Sequence, residues 1–230
     1  MSDRFSIYHH LGLGDHITLS PLVRLGASKR EEIHLIVRPQ YLENVKFLYS
    51  DVPNIKYITC SEHGDWHSDN IFNEWVESKL KHFYQSEWID EDKGKFFEDG
   101  WYTSVGLESN FRKDNFILKR NIEREKKAYN DIVTNNRFAF VHDDPSRGYN
   151  IDIDFDGQII RAHEYPDYLV FDFLKIMDEA ASIHVMYSSF FALLEITDTP
   201  CFLHETDTNK VNGIHENRIK EFASRGIIVM

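Results

Sequence analysis

What most constrains this chain is a repeated alternation of short apolar runs with stretches of helical spacing. The run His34-Leu35-Ile36-Val37 lacks the polar-every-second-residue pattern of a half-exposed strand. Strands of that kind are buried on both faces, which parallel sheets covered by helices provide. Over the first 60 residues the pattern predicts strands at Arg4–His9, Ile33–Val37 and Ile55–Ile58, with helices at Asp15–Leu25 and Gln40–Tyr49 between them. Such units cross over in the right-handed sense and build a doubly wound sheet.

The middle of the chain is less regular. Aromatic residues are scattered among acids and glycines from Ser61 to Asn115, with a helix expected over Asn70–Tyr84. This stretch reads either as a recognition surface or as an insert that covers the core. A long connecting helix is expected over Phe116–Thr134, where Leu118, Ile122, Ala128, Tyr129, Ile132 and Val133 fall near helical spacing. The alternation then resumes with a strand over Arg137–His142. Asn150–Phe155 and Gln158–Tyr165 read as a hairpin about Asp156-Gly157, a favoured two-residue turn. A helix over Leu169–Ala181, a strand over Ile183–Tyr187, a helix opening at Ser188-Ser189, a strand over Cys201–His204, a helix over Glu216–Ser224 and a strand over Gly226–Val229 complete the series. The expectation is an α/β protein of two αβα halves, residues 1–117 and 118–230, with a cleft between them.

Composition narrows the function. The net charge of −12 argues against nucleic acid as the main partner, because affinity for its phosphates comes from clustered Lys and Arg. A small anionic ligand is still admissible, since one site can be positive on an acidic surface. The two cysteines, Cys60 and Cys201, and a start without an apolar leader segment lead us to expect reduced thiols and a cytoplasmic location. No apolar run reaches the roughly 20 residues that span a bilayer, so no transmembrane segment is expected.

The segment His10-Leu11-Gly12-Leu13-Gly14-Asp15-His16 joins the first strand to the first helix. Two glycines let a ligand approach the backbone, and the helix N–H groups behind them favour an anion. Asp15 places a negative charge where an anion site would prefer none, which points to chemistry beside a phosphate rather than a cradle for it. A dinucleotide fingerprint fails at its third glycine position, occupied by Ile17, and at the acid that should end the second strand, replaced by Arg38. Arg38 could meet a 2′-phosphate, so an NAD(P)-dependent oxidoreductase stays open as an alternative. The Gly-Lys-Ser/Thr of a Walker loop is absent.

Gly14-Asp15, with Pro21 six residues after the acid, resembles the opening of heptosyltransferase-type glycosyltransferases of the GT-B fold. That resemblance implies that residues 1–117 form the acceptor-side half, that Asp15 is the general base and that His16 is its understudy. The second half adds Phe138-Ala139-Phe140-Val141-His142-Asp143-Asp144-Pro145-Ser146-Arg147-Gly148. This strand end is similar to the V-H-x-R-x-G-D type that opens the donor half of fucosyltransferase-like GT-B enzymes, but with Asp-Asp where those have Arg and with Arg147 as the strong cation. Ser188-Ser189, between an apolar strand and an apolar helix, reads from the residues either as a helix cap or as a diphosphate site. In several GT-B families a Ser-Ser element there holds the nucleoside diphosphate.

Asp152-x-Asp154-x-Asp156-Gly157 begins like a calcium loop, but its twelfth position is His163 rather than Glu, and the alternation around it is that of a strand. It reads as the solvated acidic face of the expected hairpin. The twelve histidines form no H-E-x-x-H pair, and neither His9-His10 nor His63 with His67 closes a ligand set, so no metal is expected.

The resemblances imply two Rossmann-like αβα halves facing a cleft, a compact GT-B-like arrangement. The implied activity is transfer of a sugar from a nucleoside-diphosphate sugar to a glycan hydroxyl, inverting and independent of metal, with no cofactor beyond the donor substrate. The diphosphate would rest on Ser188, Ser189, Arg147 and His142, the acceptor on the loop of Gly12 and Gly14 beside Asp15. A non-catalytic nucleotide- or sugar-binding protein is the remaining alternative, since 230 residues is short for a two-domain transferase.

Overall fold

A computed structural model describes residues 5–7, 12–59, 81–83, 102, 106–108, 110–204 and 216–230. The chain divides into two compact units, residues 1–119 and 120–230, each with its own parallel sheet. In the first unit β1 (Phe5–Ile7), β2 (Ile33–Val37), β3 (Ile55–Thr59) and β4 (Lys81–Phe83) lie in the order β3-β2-β1-β4. All three pairings are parallel, Ile33 standing opposite both Phe5 and Ile55. β2 is buried along its whole length, as its apolar run requires. Strand β4 occupies 81–83, where the end of a helix was expected; the rest of that expected helix lies outside the described residues.

The first helix is divided. α1 (Leu13–Thr18) and α2 (Ser20–Ser28) meet at Leu19, because Pro21 has no N–H with which to continue α1. Buried tyrosine hydroxyls take up carbonyls near the break, Tyr102 donating to Thr18 O at 2.7 Å and Tyr49 to His16 O at 3.3 Å. The expected helix 40–49 is a 3-10 turn over Pro39–Tyr41 followed by α3 (Leu42–Leu48). Arg24 of α2 lies over the Tyr49 ring and grips Asp51 with two hydrogen bonds of 3.0 and 2.9 Å.

The expected long connecting helix over Phe116–Thr134 is shorter, α5 (Ile122–Ile132), and a one-turn helix, α4 (Phe111–Asp114), lies before the expected range. The Asn121 side chain caps α5 by accepting from Arg124 N, which is why that helix starts where it does. Arg124 also reaches the buried Asp172 with a two-pronged contact, 2.8 and 2.6 Å. Asp172 sits in a 3-10 turn over Val170–Phe173 that precedes α6 (Leu174–Glu179), so residues 169–181 also split into two helical pieces.

The second sheet contains β5 (Phe138–His142), β6 (Gln158–Arg161), β7 (Ser182–Met186), β8 (Cys201–His204) and β9 (Ile227–Val229) in the order β6-β5-β7-β8-β9. Every pairing is parallel. α7 (Ser189–Ile196) links β7 to β8, and α8 (Glu216–Ser224) precedes β9. One face of the sheet is filled by an aromatic cluster in which Phe140, Phe173 and Phe190 meet at centroid distances of 5.2 to 5.7 Å. Each such ring contributes roughly 1.5–3 kcal/mol on burial.

The hairpin expected about Asp156-Gly157 does not form. β6 runs parallel to β5, with Gln158 N donating to Arg137 O at the beginning of β5. The alternation in 150–156 is real, but it marks an extended segment laid against the sheet face rather than a rung of the ladder. Ile151 is buried, Ile153 packs with it against Val141 and Met186, and Asp152, Asp154 and Asp156 face solvent. Gly157 then turns the chain where a Cβ would stand 2.5 Å from Arg137 O.

Candidate functional site

The order β6-β5-β7 places the reversal of winding at β5, and the crevice beyond the carboxyl ends of β5 and β7 is where open parallel sheets bind ligands. His142 is the last residue of β5 and pairs in register with Val185 of β7. Two residues past β7, Ser188 opens α7, and Phe190 in the first turn of that helix lies with its ring centroid 4.5 Å from the His142 ring. The strand end and the helix start therefore form one corner.

Two polar atoms in that corner are buried and lack a hydrogen-bond partner among the described residues, His142 Nδ1 and Ser188 Oγ. Ser188 is the N-terminal flanking residue of α7, but its side chain makes no capping bond. The capping explanation for Ser188 thus fails, and a buried hydroxyl without a partner costs about 1–3 kcal/mol unless something else meets it. Ser189, half-buried, adds the first N–H of the helix.

The turn after β5 carries the charge. Arg147 donates from Nε to Asp144 Oδ2 at 2.6 Å and stacks over the Tyr149 ring, leaving both terminal nitrogens without a hydrogen-bond partner among the described residues. Burial of Asp144 opposes its ionisation, but hydrogen bonds from Ser146 and Arg147 outweigh it and hold the carboxyl below its usual range. Burial pushes His142 down to about 4; Asp143 and Asp144 oppose this, while His163 and Arg147 add to it. His142 is therefore a neutral imidazole at neutral pH, able to donate or accept one hydrogen bond but not to supply charge.

Asp143, the first of the acids standing where the resembled motif has Arg, is almost wholly buried and collects three donors. Oδ1 accepts from His163 Nδ1 at 2.9 Å, and Oδ2 accepts from Ile151 N at 3.3 Å and from Arg161. Arg161 also donates to Ile151 O at 3.0 Å. Sequence reasoning missed Asp143, Arg161 and His163 as a group. The available signal was the acid pair at a strand end, a place where a buried carboxylate needs a cation supplied from elsewhere in the chain.

In the first unit Asp15 is the third residue of α1, and its Oδ2 accepts from Gly12 N at 3.0 Å. Gly12 has ordinary dihedrals, φ −71° and ψ 149°, so the expected special turn is absent there. A Cβ at Gly12 would lie 2.8 Å from Asp15 Oδ2, the flexible end of that side chain, so the glycine spares the carboxylate a displacement. Gly14 lies inside α1, and His16 is fully buried in the core. Residues 8–11 of the same motif, and Glu205, Thr206 and Asp207 beyond β8, lie outside the described residues.

A further histidine pair crosses the second sheet. His184 Nδ1 and His204 Nε2 are 3.0 Å apart, His184 Nε2 meets Ser182 Oγ at 3.1 Å, and the His184 ring stacks on Phe202. Burial pushes both histidines down, His184 to about 4. Among the described residues no three His, Cys, Asp or Glu side chains cluster as metal ligands would, and no helix is long and apolar enough to cross a membrane.

A solved structure shares this fold. A glycosyl transferase family 9 protein from Veillonella parvula DSM 2008 superposes with a TM-score of 0.50 at 10% sequence identity, covering 99% of this chain and 85% of that one. The likeness is one of fold, a mixed α/β protein with parallel sheets. No protein-family model matches the sequence, and no curated protein does.

Proposed function

We propose that this protein is a glycosyltransferase of GT-B-like build with two Rossmann-like halves, moving a sugar from a nucleoside-diphosphate donor to a glycan hydroxyl. The observation that carries the reading is the pair of buried polar atoms without a hydrogen-bond partner among the described residues, His142 Nδ1 and Ser188 Oγ, at the carboxyl ends of adjacent strands of the second sheet. A diphosphate satisfies both requirements of that corner. Its oxygens accept from Ser188, from the N–H groups that open α7 and from neutral His142, while Arg147 brings the opposing charge. The fold shared with a glycosyltransferase supports the same reading.

Asp15 takes the acceptor proton as the hydroxyl oxygen attacks the anomeric carbon from the face opposite the diphosphate, which gives inversion. Fixed N–H donors and a guanidinium stabilise the charge left on the diphosphate, and the reading assigns no step to a metal. The test is a panel of nucleotide sugars assayed for thermal stabilisation and for release of nucleoside diphosphate. One donor should stabilise the wild type and be turned over, Ser188→Ala should weaken its binding, and Asp15→Asn should bind it yet fail to transfer. A protein that binds no nucleotide and no nucleotide sugar is not this enzyme.

A further inference from the structure

We propose that Arg161 is a positioning residue of the donor site, one that sets where Arg147 stands without touching the diphosphate itself. The inference rests on the donor reading given above. Arg161 ends β6 and pairs in register with Val141 of β5, so its side chain rises on the face that Asp143, two residues further along, also takes. It ion-pairs with the buried Asp143 carboxylate and donates to Ile151 O at 3.0 Å, while Asp143 Oδ2 accepts from Ile151 N at 3.3 Å. Asp143 and Ile151 are the two stems of the turn that carries Arg147. One guanidinium holds both.

Between its stems the turn is closed on itself. Asp144 and Tyr149 exchange backbone hydrogen bonds of 2.9 and 3.0 Å, and the 3-10 turn Pro145–Arg147 ends on Gly148 at φ 80°. Arg147 Nε donates to Asp144 Oδ2 at 2.6 Å, and its guanidinium lies over the Tyr149 ring. The turn therefore moves as one body, and its aim is decided at the stems. The charge of Arg147 is felt at His142, which puts that body beside the corner of His142 and Ser188. His163 Nδ1 also meets Asp143, at 2.9 Å, but makes no bond to Ile151 among the described residues. Without Arg161 the buried Asp143 carboxylate has lost its guanidinium partner and must turn toward water or take up a proton. Either change frees the stem.

The experiment is a double-mutant cycle read by calorimetric titration of the full chain with UDP, GDP, CDP and ADP, using wild type, Arg147→Ala, Arg161→Gln and the double variant. Whichever nucleoside diphosphate binds the wild type should bind each single variant about tenfold more weakly, and the double variant no more weakly than Arg147→Ala. A residue that merely supports the fold would add its own loss to that of Arg147→Ala. If Arg161→Gln does not fold, the same cycle on Arg161→Lys answers the question, since its smaller loss should also vanish in the Arg147→Ala background. Losses that multiply to about a hundredfold, or a single variant that binds as the wild type does, overturn this inference and leave the transferase reading standing. A wild type that binds none of the four overturns both.

Discussion

Two helix starts in this molecule face the same problem and solve it differently. At the start of α1, Asp15 folds back on Gly12 N–H, so the helix closes itself with its own carboxylate. At the start of α7, Ser188 has the right side chain for capping and does not cap, leaving a buried hydroxyl beside a buried imidazole nitrogen, both without a hydrogen-bond partner among the described residues. Both segments follow a parallel strand and both looked in sequence like places for an anion. The difference teaches that a helix start can either satisfy its own N–H groups, as the Asp15 carboxylate does, or leave polar groups open, and the proposed anion site lies at the start of the second kind.

The largest effect should come from Asp15→Asn. An asparagine still accepts from Gly12 N–H, so the cap survives while the proton acceptor is lost. Sugar transfer should fall about a thousandfold with little change in melting temperature. Unchanged turnover would reduce Asp15 to a cap and remove the functional half of the contrast.

Acid acts on the other start. His142 is held near pKa 4 in the fold against about 6.5 when unfolded, so the unfolded chain binds its proton first as pH drops. Its contribution to stability is present above pH 6.5 and drains away toward pH 4. Urea unfolding should show a loss of about 2 kcal/mol from this residue between pH 7 and pH 5. His142→Asn should remove that part of the slope and leave the part due to His184 and His204.

Ser188→Ala should separate stability from binding. Removing a buried hydroxyl that has no partner should leave the melting temperature unchanged or raise it, whereas nucleoside diphosphate affinity should drop about tenfold. A fall in stability with affinity intact would mean that the hydroxyl serves the fold. The smallest effect belongs to Gly12→Ala, where the new methyl displaces the Asp15 carboxylate by its flexible end; unfolding stability should drop by about 1 kcal/mol.

How much of this was legible depended on how local the cause was. β2 and β8 and the helix over Glu216–Ser224 match their expected limits, because each is a continuous run whose pattern needs no distant partner. His142 and Ser188 were legible for the same reason, being strand and helix ends. The segment 150–157 was misread because a two-residue period reports one buried side and says nothing about which neighbour supplies hydrogen bonds. Once that segment lies flat on the sheet, Arg161 and His163 arrive beside Asp143 from 18 and 20 residues away, a meeting that no local pattern announces. The break in the first helix and the late start of α5 had local causes, Pro21 and the Asn121 cap, that a hydrophobic period alone does not register.

The stitching of Asp143 to Ile151 by side chain and through Arg161 makes the intervening turn a closed ring without a covalent link. Arg147 rides on that ring. The entropy of that loop is spent during folding rather than during binding, so the proposed diphosphate would meet an arm already in place and give up less affinity to ordering it.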